Sequence, residues 1–368
     1  MVEDAGGPPI DDLDVSAFTV PTDAPEADGT IAWDATTMVL VQARAGGVTG
    51  VGYTYSDVAA ASLVRGKLVD VVVGADALAV SAAWRAMWRS VRNLGRPGIA
   101  AGALSAVDNA LWDLKARVLG RPLATILDAS RMEVPLYGSG GFTSYTVERL
   151  CAQLAGWVEA GMGAVKMKVG TRPDADLARV RAARAAIGEG AALFVDANGA
   201  YQRKQALAFA EAFVELGVSW FEEPVPSDDL EGLHLLRDRG PAGMEIAAGE
   251  YGYEVEYFRR MLEAGAVDVL QADATRCGGI TGFLRAGALA EAFGVDLSAH
   301  TAPALHVHAC CAVPRLRNLE YFHDHARIER MFFDGNPEPV GGVLRPDLAR
   351  PGNGLEPRAD VMARYRVA

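Results

Sequence analysis

The chain has 368 residues, half of them hydrophobic, so we expect a large apolar core and two or three structural units. The 47 Asp and Glu residues outnumber the 35 Lys and Arg residues, and the formal net charge of −12 disfavours nucleic acids and acidic membranes as partners. The four cysteines form no C-x-x-C pair, which argues against a zinc site or a disulfide framework and favours a reducing compartment.

The N-terminal sequence MVEDAGGPPIDD carries acidic residues where a signal peptide needs basic ones, and no apolar run reaches transmembrane length. We therefore expect a cytoplasmic protein.

The first 130 residues predict an α+β domain. Thr36–Arg44 alternates between apolar and polar residues and leads into a Gly-rich turn and a second strand, which is typical of an antiparallel hairpin. Helices are predicted at Ser81–Val91 and Ala100–Leu119, the second ending at Gly120. The Pro- and Gly-rich tail, residues 341–368, is too short for a domain and is expected to pack back onto the first one.

Residues 131–340 repeat one unit, a short apolar run that ends in polar residues and is followed by an amphipathic stretch. The runs begin at Val134, Ala164, Leu193, Ser219, Glu245, Asp268, Val295 and Asn318. Stretches with helical spacing include Thr146–Ala160, Asp174–Ile187 and Arg203–Leu216. Eight alternating βα units predict a closed parallel (β/α)8 barrel, an α/β fold whose chemistry lies at the C-terminal ends of the strands.

Three carboxylates end three consecutive strands of this predicted barrel. Asp196, Glu222 and Glu250 lie about one βα unit apart, so they point at the same rim. Like charges placed together raise one another's pKa, and a hard divalent cation with oxygen ligands is their natural partner. The alternative interpretation, three solvated acids that end consecutive strands without binding a metal, is less favoured.

Two lysines end the preceding strand. Lys166 and Lys168 are two residues apart, so both face the barrel mouth. We expect each ammonium group to lower the pKa of the other, which is one way to make a lysine a base near neutral pH. Rim lysines in ordinary salt bridges are the structural alternative.

Asp273 and His300 end the next two strands, where the carboxylate can accept a hydrogen bond from the imidazole and raise its basicity. Glu320 ends the eighth run and is expected to donate a proton or a hydrogen bond if burial raises its pKa. The nearby His306 and His308 are predicted to be structural residues of a helix. Together the rim residues suit removal of a proton from the carbon next to a carboxylate.

The sequence resembles the enolase superfamily, and within it the mandelate racemase subgroup, over essentially the whole chain. The matching motifs are K-x-K at Lys166 and Lys168, D-x-N at Asp196 and Asn198, E-E-P from Glu222, G-E at Gly249 and Glu250, D-x-x-x-x-G-G-x-T from Asp273 to Thr281, S-x-H ending at His300, and L-E at Glu320. The segment SAVDNALWDLKARVLGRPL from Ser105 also resembles the helix of that family's capping domain. Muconate cycloisomerases and dipeptide epimerases are less similar, since they carry a lysine in place of Asp273 and lack the His.

The resemblance implies a barrel with an N-terminal capping domain and a role for each motif residue. Asp196, Glu222 and Glu250 are expected to bind Mg²⁺. Lys168 and the His300–Asp273 pair are expected to be opposed acid/base catalysts, Lys166 to neutralise an enediolate, and Glu320 to hydrogen-bond it. Expected substrate contacts are Asn198, Tyr53 and Tyr55. Arg276, three residues past Asp273, is interpreted either as a residue that supports the site from behind or as a surface residue. A homo-oligomer is also expected.

Such a site supports either of two reactions on a small carboxylate. Dehydration of an aldonic or aldaric acid to a 2-keto-3-deoxy acid is the first expectation, and racemisation or epimerisation of a 2-hydroxy acid is the second. Muconate cycloisomerase-like activity and a catalytically silent binding barrel are weaker alternatives. Selectivity is expected from Pro21–Trp33 and Tyr53–Asp57, which contain no Arg or Lys and so favour an uncharged polyol tail, although Arg96 could supply a charge from elsewhere.

Overall fold

We describe the protein from a computed structural model, which covers residues 6–368; the first five residues of the acidic N-terminal stretch lie outside the described part. Within that part, no helix combines the length and the apolar character needed to cross a membrane.

The predicted barrel is confirmed. Within residues 6–368, eight parallel strands form a closed sheet, because β11 pairs back onto β4. The strands are β4 Val134–Gly140, β5 Ala164–Lys168, β6 Ala192–Asp196, β7 Val218–Glu222, β8 Glu245–Ala248, β9 Val269–Ala272, β10 Asp296–Ala299 and β11 Leu316–Phe322. The helices that follow them are α6 Val147–Glu159, α7 Pro173–Ile187, α8 Arg203–Val214, α9 Leu230–Arg239, α10 Val255–Glu263, α11 Gly279–Phe293, α12 Pro303–Cys311 and α13 His323–Phe332.

Aromatic side chains fill the barrel interior beneath the rim. Phe194 and Trp220 stack with ring centroids 4.9 Å apart, and Tyr137 meets Phe194 edge-on at 5.5 Å. Each stacked ring lies two residues before a rim carboxylate on the same strand, Asp196 or Glu222, so strand alternation points both inward. These three side chains, the aromatic plug, close the barrel below the rim and leave the carboxylates at its open end.

The N-terminal domain is an antiparallel sheet packed against helices. The sheet contains β1 Ile10–Ala27, β2 Ala32–Ala45 and β3 Val48–Tyr55 in that order. The helices are α1 Val58–Leu63, continued by a π-helical turn at Val64–Leu68, then α2 Val69–Val72, α3 Val80–Ser90, a short 3₁₀ turn at Arg92–Leu94, α4 Ile99–Val118 and α5 Leu123–Ile126. Helix α4 lies directly on β3, since a Cβ atom added to Gly52 would meet Ala110 N at 2.1 Å.

The C-terminal segment contacts both domains. Strand β13 Val343–Leu344 pairs antiparallel with β4, and β12 Phe333–Asp334 pairs with β14 Glu356–Pro357. The last helical turns are α14 Ala359–Met362 and a 3₁₀ turn at Ala363–Tyr365. Ala17 N donates to Ala368 O at 2.8 Å, so the chain end joins the N-terminal sheet. The domain boundaries at residues 130 and 340 stay a prediction.

Candidate active site and metal centre

Three buried carboxylates meet at the C-terminal end of the barrel. Asp196 and Glu222 are the last residues of the paired strands β6 and β7 and lie in register, while Glu250 follows β8 by two residues. One ligand oxygen from each lies within 4.8 Å of the other two. The strand register therefore brings together the three acids that the sequence singled out.

The donor set fits a hard divalent cation. All three ligands are carboxylate oxygens, which suit Mg²⁺ or Mn²⁺. Burial raises the pKa of Glu222 to about 8, and the neighbouring Asp196 carboxylate adds to the shift. Glu250 Oε2 is buried and lies 3.2 Å from His300 Nε2, in an arrangement that does not have hydrogen-bond geometry. A cation held by Asp196, Glu222 and Glu250 would offset the repulsion among these acids.

Trp220 orients one of these ligands. Its Nε1 donates to Glu222 Oε2 at 3.0 Å from within the aromatic plug. Such a donor behind a ligand fixes the direction of the carboxylate. The sequence analysis did not assign this role, although the two-residue spacing along β7 placed both side chains on one face.

The two lysines of β5 are held by the carboxylates. Lys166 Nζ lies 2.5 Å from Glu222 Oε1 and 2.9 Å from Glu320 Oε1. Lys168 Nζ lies 2.5 Å from Asp196 Oδ2 and donates to Asn198 Oδ1 at 3.1 Å. Although burial opposes the charged form, the facing carboxylates raise the pKa of both ammonium groups. The expectation that the two lysines have lowered pKa values was therefore wrong, because the attraction of the carboxylates outweighs the repulsion between the two ammonium groups.

Asp273 and His300 form the expected hydrogen-bonded pair. Ala272 and Ala299 are register partners, so the residues that follow them lie side by side, with His300 Nδ1 2.8 Å from Asp273 Oδ2. Burial opposes the imidazolium, but the Glu250 and Glu320 carboxylates and the bond to Asp273 raise the pKa of His300 to about 10. Its Nε2 faces the metal site, 3.2 Å from Glu250 Oε2.

Glu320 differs from the expectation in its charge state. Burial disfavours the carboxylate, but Lys166 and His300 lower the pKa of Glu320 to about 2. Ser139 Oγ donates to its Oε1 at 2.6 Å, and Thr301 N donates to its Oε2 at 3.1 Å. Glu320 is thus an ionised acceptor rather than the acid that burial alone predicted.

A cavity of about 420 Å³ opens above these groups and is lined by both domains. The N-terminal domain contributes Asp28, Ile31, Trp33, Ala35, Thr36, Thr37, Tyr55, Ser56 and Asp57. The barrel contributes Lys168, Asn198, Glu250, Tyr251, Arg276, His300, Thr301, Phe322 and His325. Parts of both segments expected to control selectivity therefore face the rim.

Tyr55 and Tyr53 lie in different surroundings. Tyr55 lines the cavity and stacks on His325, with ring centroids 3.4 Å apart. Tyr53 is buried beneath it, donating its hydroxyl to Glu329 Oε1 at 2.6 Å and stacking on Phe333. The two tyrosines share a face of β3, but only the outer one reaches the cavity. His325 also lines it and was not found from the sequence, because it lies beyond β11 on a helix with no distinctive motif.

Arg276 lies against the metal site, as in the first of its two interpretations. Its Nη1 is 3.4 Å from Glu250 Oε1, and its Nε is 3.6 Å from Asp273 Oδ2. His306 and His308 are buried in α12 and accept hydrogen bonds from Ala274 N and Ala124 N, which agrees with structural roles.

A capped barrel with three rim carboxylates, two rim lysines and a His–Asp pair defines an enzyme with a metal centre. Residues 14–128 match the family described as mandelate racemase / muconate lactonizing enzyme, N-terminal domain, and residues 149–361 match the enolase C-terminal domain-like family. The chain belongs to the mandelate racemase/muconate lactonizing enzyme family of the enolase superfamily.

The chain is similar to proteins of known structure and to enzymes that act on sugar acids, as their names state. A mandelate racemase/muconate lactonizing enzyme-like protein from Rubrobacter xylanophilus is 57% identical, with a TM-score of 0.96 over 98% of this chain and 100% of that one. The 3,6-anhydro-alpha-L-galactonate cycloisomerase of Streptomyces coelicolor is 36% identical over 84% of this chain and 85% of its own length. L-Talarate dehydratase from Polaromonas sp. JS666, solved with Mg and L-glucarate, is 30% identical, with a TM-score of 0.88 over 98% of each chain.

Proposed function

We propose that the protein dehydrates an acid sugar to a 2-keto-3-deoxy acid, with Mg²⁺ at Asp196, Glu222 and Glu250. The observation that carries this proposal is the placement of Lys168 and His300 on either side of the carboxylates. Lys168 Nζ contacts Asp196 at one end of the trio, and His300 Nε2 faces Glu250 at the other. A substrate carboxylate held between them presents its α-carbon to both groups.

The proposed proton transfers use Lys168 as a neutral amine and His300 as an imidazolium. Lys168, once deprotonated, takes the α-proton on Nζ, while His300 in its imidazolium form gives the Nε2 proton to the β-hydroxyl, which leaves as water. The resulting enol tautomerises to the 2-keto acid. The bound metal supplies positive charge that stabilises the enediolate formed when the α-proton leaves. Lys166 adds a second positive charge from the β5 side.

Carboxylates that also bind a cation stabilise the Lys168 ammonium group less than free carboxylates do. This difference favours the neutral amine form of Lys168, which the reaction needs. Asp273 holds the imidazole through Nδ1 and so directs Nε2 toward the cavity. The ionised Glu320 lies 2.9 Å from Lys166 Nζ and 3.7 Å from His300 Nε2, so the role proposed for it, in place of proton donation, is to keep both of these groups positively charged.

The cavity favours an acid sugar with an uncharged distal end. Its cationic lining residues, Lys168, Arg276 and His300, are all within ion-pair distance of site carboxylates. Arg96 stacks on Trp88, 4.9 Å from the ring centroid, and donates to Trp88 O. Asp28 and Asp57 add acceptors for hydroxyl groups. An aldonic acid therefore suits the site better than an aldaric acid.

Racemisation or cycloisomerisation is the second candidate. Two acid/base groups flanking one α-carbon can also exchange its proton between faces, and one of the relatives is a cycloisomerase. A silent barrel is disfavoured, because the chain keeps every acid, base and metal ligand that the chemistry requires.

The decisive assay supplies Mg²⁺ and a panel of aldonic and aldaric acids and measures 2-keto acid formation. Deuterium exchange at the α-carbon then separates the two bases. Lys168→Ala should abolish both exchange and turnover, whereas His300→Asn should retain some exchange while losing water expulsion. Interconversion of enantiomers without 2-keto acid would favour the racemase. Wild-type turnover in both variants would overturn the proposed roles.

We further propose a cytoplasmic, homo-oligomeric protein. The acidic composition, the free cysteines and the lack of a basic surface cluster in the sequence support the location.

A further inference from the structure

A second cavity of about 560 Å³ lies beside the active-site cavity. It lies outside the C-terminal ends of β6, β7 and β8, with Thr30 and Pro97 of the N-terminal domain opposite. The two cavities share Asn198 and Tyr251, so these side chains form their boundary. A single small-molecule site typically occupies roughly 300–1,000 Å³. The protein thus holds two such volumes side by side, although a six-carbon acid sugar needs only one.

Glu223 supplies a buried acceptor in the wall of this cavity. Its side chain is 1% exposed, and its Oε1 has no hydrogen-bond partner among the described residues. Its backbone is fixed, because Glu223 N donates to Ala247 O at 2.9 Å and Glu223 O accepts from Gly199 N at 2.8 Å. A buried carboxyl oxygen without a hydrogen-bond partner costs free energy, so the cavity suits a ligand that supplies one.

The remaining wall carries aromatic side chains and charged groups. Tyr251, Tyr253 and Tyr257 line it, and Arg260 is an exposed donor at its edge. Aromatic faces cover the apolar side of a sugar ring, while carboxylates and guanidinium groups bind its hydroxyls. Among residues 6–368, Glu223 belongs to no cluster of three ligand atoms close enough to hold a cation.

We propose that this second cavity, the tyrosine cavity, binds a glycosyl substituent on the acid sugar. The substrate class is then an aldobionic acid, in which the carboxylate end lies at the metal site and the attached sugar ring passes Asn198 and Tyr251 into the tyrosine cavity. A ring hydroxyl donates to Glu223 Oε1. This inference rests on the proposed function, because the acid end must bind where the dehydration occurs.

The test compares the binding of gluconate and galactonate with that of their 4-O- and 6-O-glycosyl derivatives, by calorimetry on the Mg²⁺-loaded protein. At least one glycosylated acid should bind roughly 10-fold tighter than its parent, as expected for one added hydrogen bond. Glu223→Ala should remove most of this advantage and Arg260→Ala part of it, while the parent acid binds as before. Arg259→Ala, on the same helix but outside the cavity wall, is the matched control.

Tyr253→Ala, which is farther from the metal ligands, should also reduce the advantage of the glycosylated acid. Mg²⁺ affinity is measured for every variant. Parent acids that bind and react while no glycosylated acid gains affinity would overturn the inference and leave the proposed function standing. An advantage that survives Glu223→Ala, Arg260→Ala and Tyr253→Ala would also overturn it. Failure of every acid to bind or react would remove both proposals.

Discussion

At the scale of single residues, the geometry of the metal site depends on groups behind the ligands. Trp220→Phe keeps the ring stacked on Phe194 but removes the hydrogen bond to Glu222 Oε2. Loss of such a supporting donor typically lowers metal affinity about 10- to 100-fold. We expect a drop of that size in Mn²⁺ affinity, measured by calorimetry, with an unchanged circular dichroism spectrum. Trp157→Phe, on α6, serves as the control and should bind the metal normally.

Glu329 is a buried carboxyl whose ionisation opposes folding. It accepts from Tyr53 Oη at 2.6 Å and from Ala304 N at 3.0 Å, and burial raises its pKa to about 8. Because the folded pKa exceeds that of an unfolded glutamate, the stability contribution is fully present below about pH 4.5 and is lost as pH rises through about 8.

Glu329→Gln removes this titration while keeping an acceptor for Ala304 N. Thermal melts at pH 5 to 9 should therefore show wild-type Tm falling relative to the variant as pH rises. Parallel curves for the two proteins would mean that Glu329 has no raised pKa.

Residue positions were more predictable from sequence than residue environments. The spacing of Asp196, Glu222 and Glu250 along successive strands was sufficient to place them together, because strand period and barrel closure are set by local pattern. The partner of Tyr53, Glu329, and one determinant of the charge of Glu320, Lys166, lie more than a hundred residues away along the chain. No local pattern carries that information.

At the scale of elements, β1 shows where the sequence signal failed. It runs from Ile10 to Ala27 through Pro21 and Pro25, residues that argue against a strand. The structure accommodates them because β1 is an edge strand and its register with β2 shifts between Pro21 and Glu26. The expected selectivity segment, Pro21–Trp33, is therefore a strand end, a turn and the start of β2.

Helix α4 joins the two domains through the start of α11. Ser105 Oγ accepts hydrogen bonds from Gly278 N at 2.9 Å and Gly279 N at 3.0 Å, and Asp108 Oδ2 accepts from Thr281 N. These contacts give a physical reason for the polar residues in an otherwise apolar helix. The unpaired N–H groups at a helix start need acceptors, and here another domain provides them.

Ser105→Ala should leave two buried N–H groups without an acceptor. Each such group costs about 1–3 kcal/mol, so the free energy of unfolding in urea should fall by at least that amount. Ser90→Ala, whose half-buried hydroxyl bonds only Met87 O at the end of α3, should change stability by less than about 0.5 kcal/mol. Equal effects of the two substitutions would rule out α4 as a cap for α11.

At the scale of the whole molecule, the site divides its work between the two domains. The barrel supplies the metal ligands and the acid/base groups, whereas the N-terminal domain supplies much of the cavity wall. Barrel chemistry follows from repeated βα units and was readable from sequence. The docking of one domain on the other was not, because it depends on pairs such as Thr36 with Asp324, which face each other only after both domains fold.

Arg327 holds the N-terminal domain over the cavity and allows this division to be tested. Its Nη2 donates to Pro21 O at 2.7 Å and its Nε to Asp324 Oδ1 at 3.0 Å, while Thr36 Oγ1 donates to Asp324 Oδ2 at 2.5 Å. Arg327→Ala should loosen the cavity wall and leave the barrel rim intact. If the lost contacts weaken substrate binding by about 1–2 kcal/mol, KM should rise roughly 5- to 30-fold, with Mg²⁺ affinity unchanged.

Arg345→Ala is the control. It removes an exposed ion pair with Glu133 and should alter neither KM nor Mg²⁺ affinity. A parallel loss of Mg²⁺ affinity in Arg327→Ala would show that the metal site and the N-terminal domain are one cooperative unit, contrary to the division proposed here.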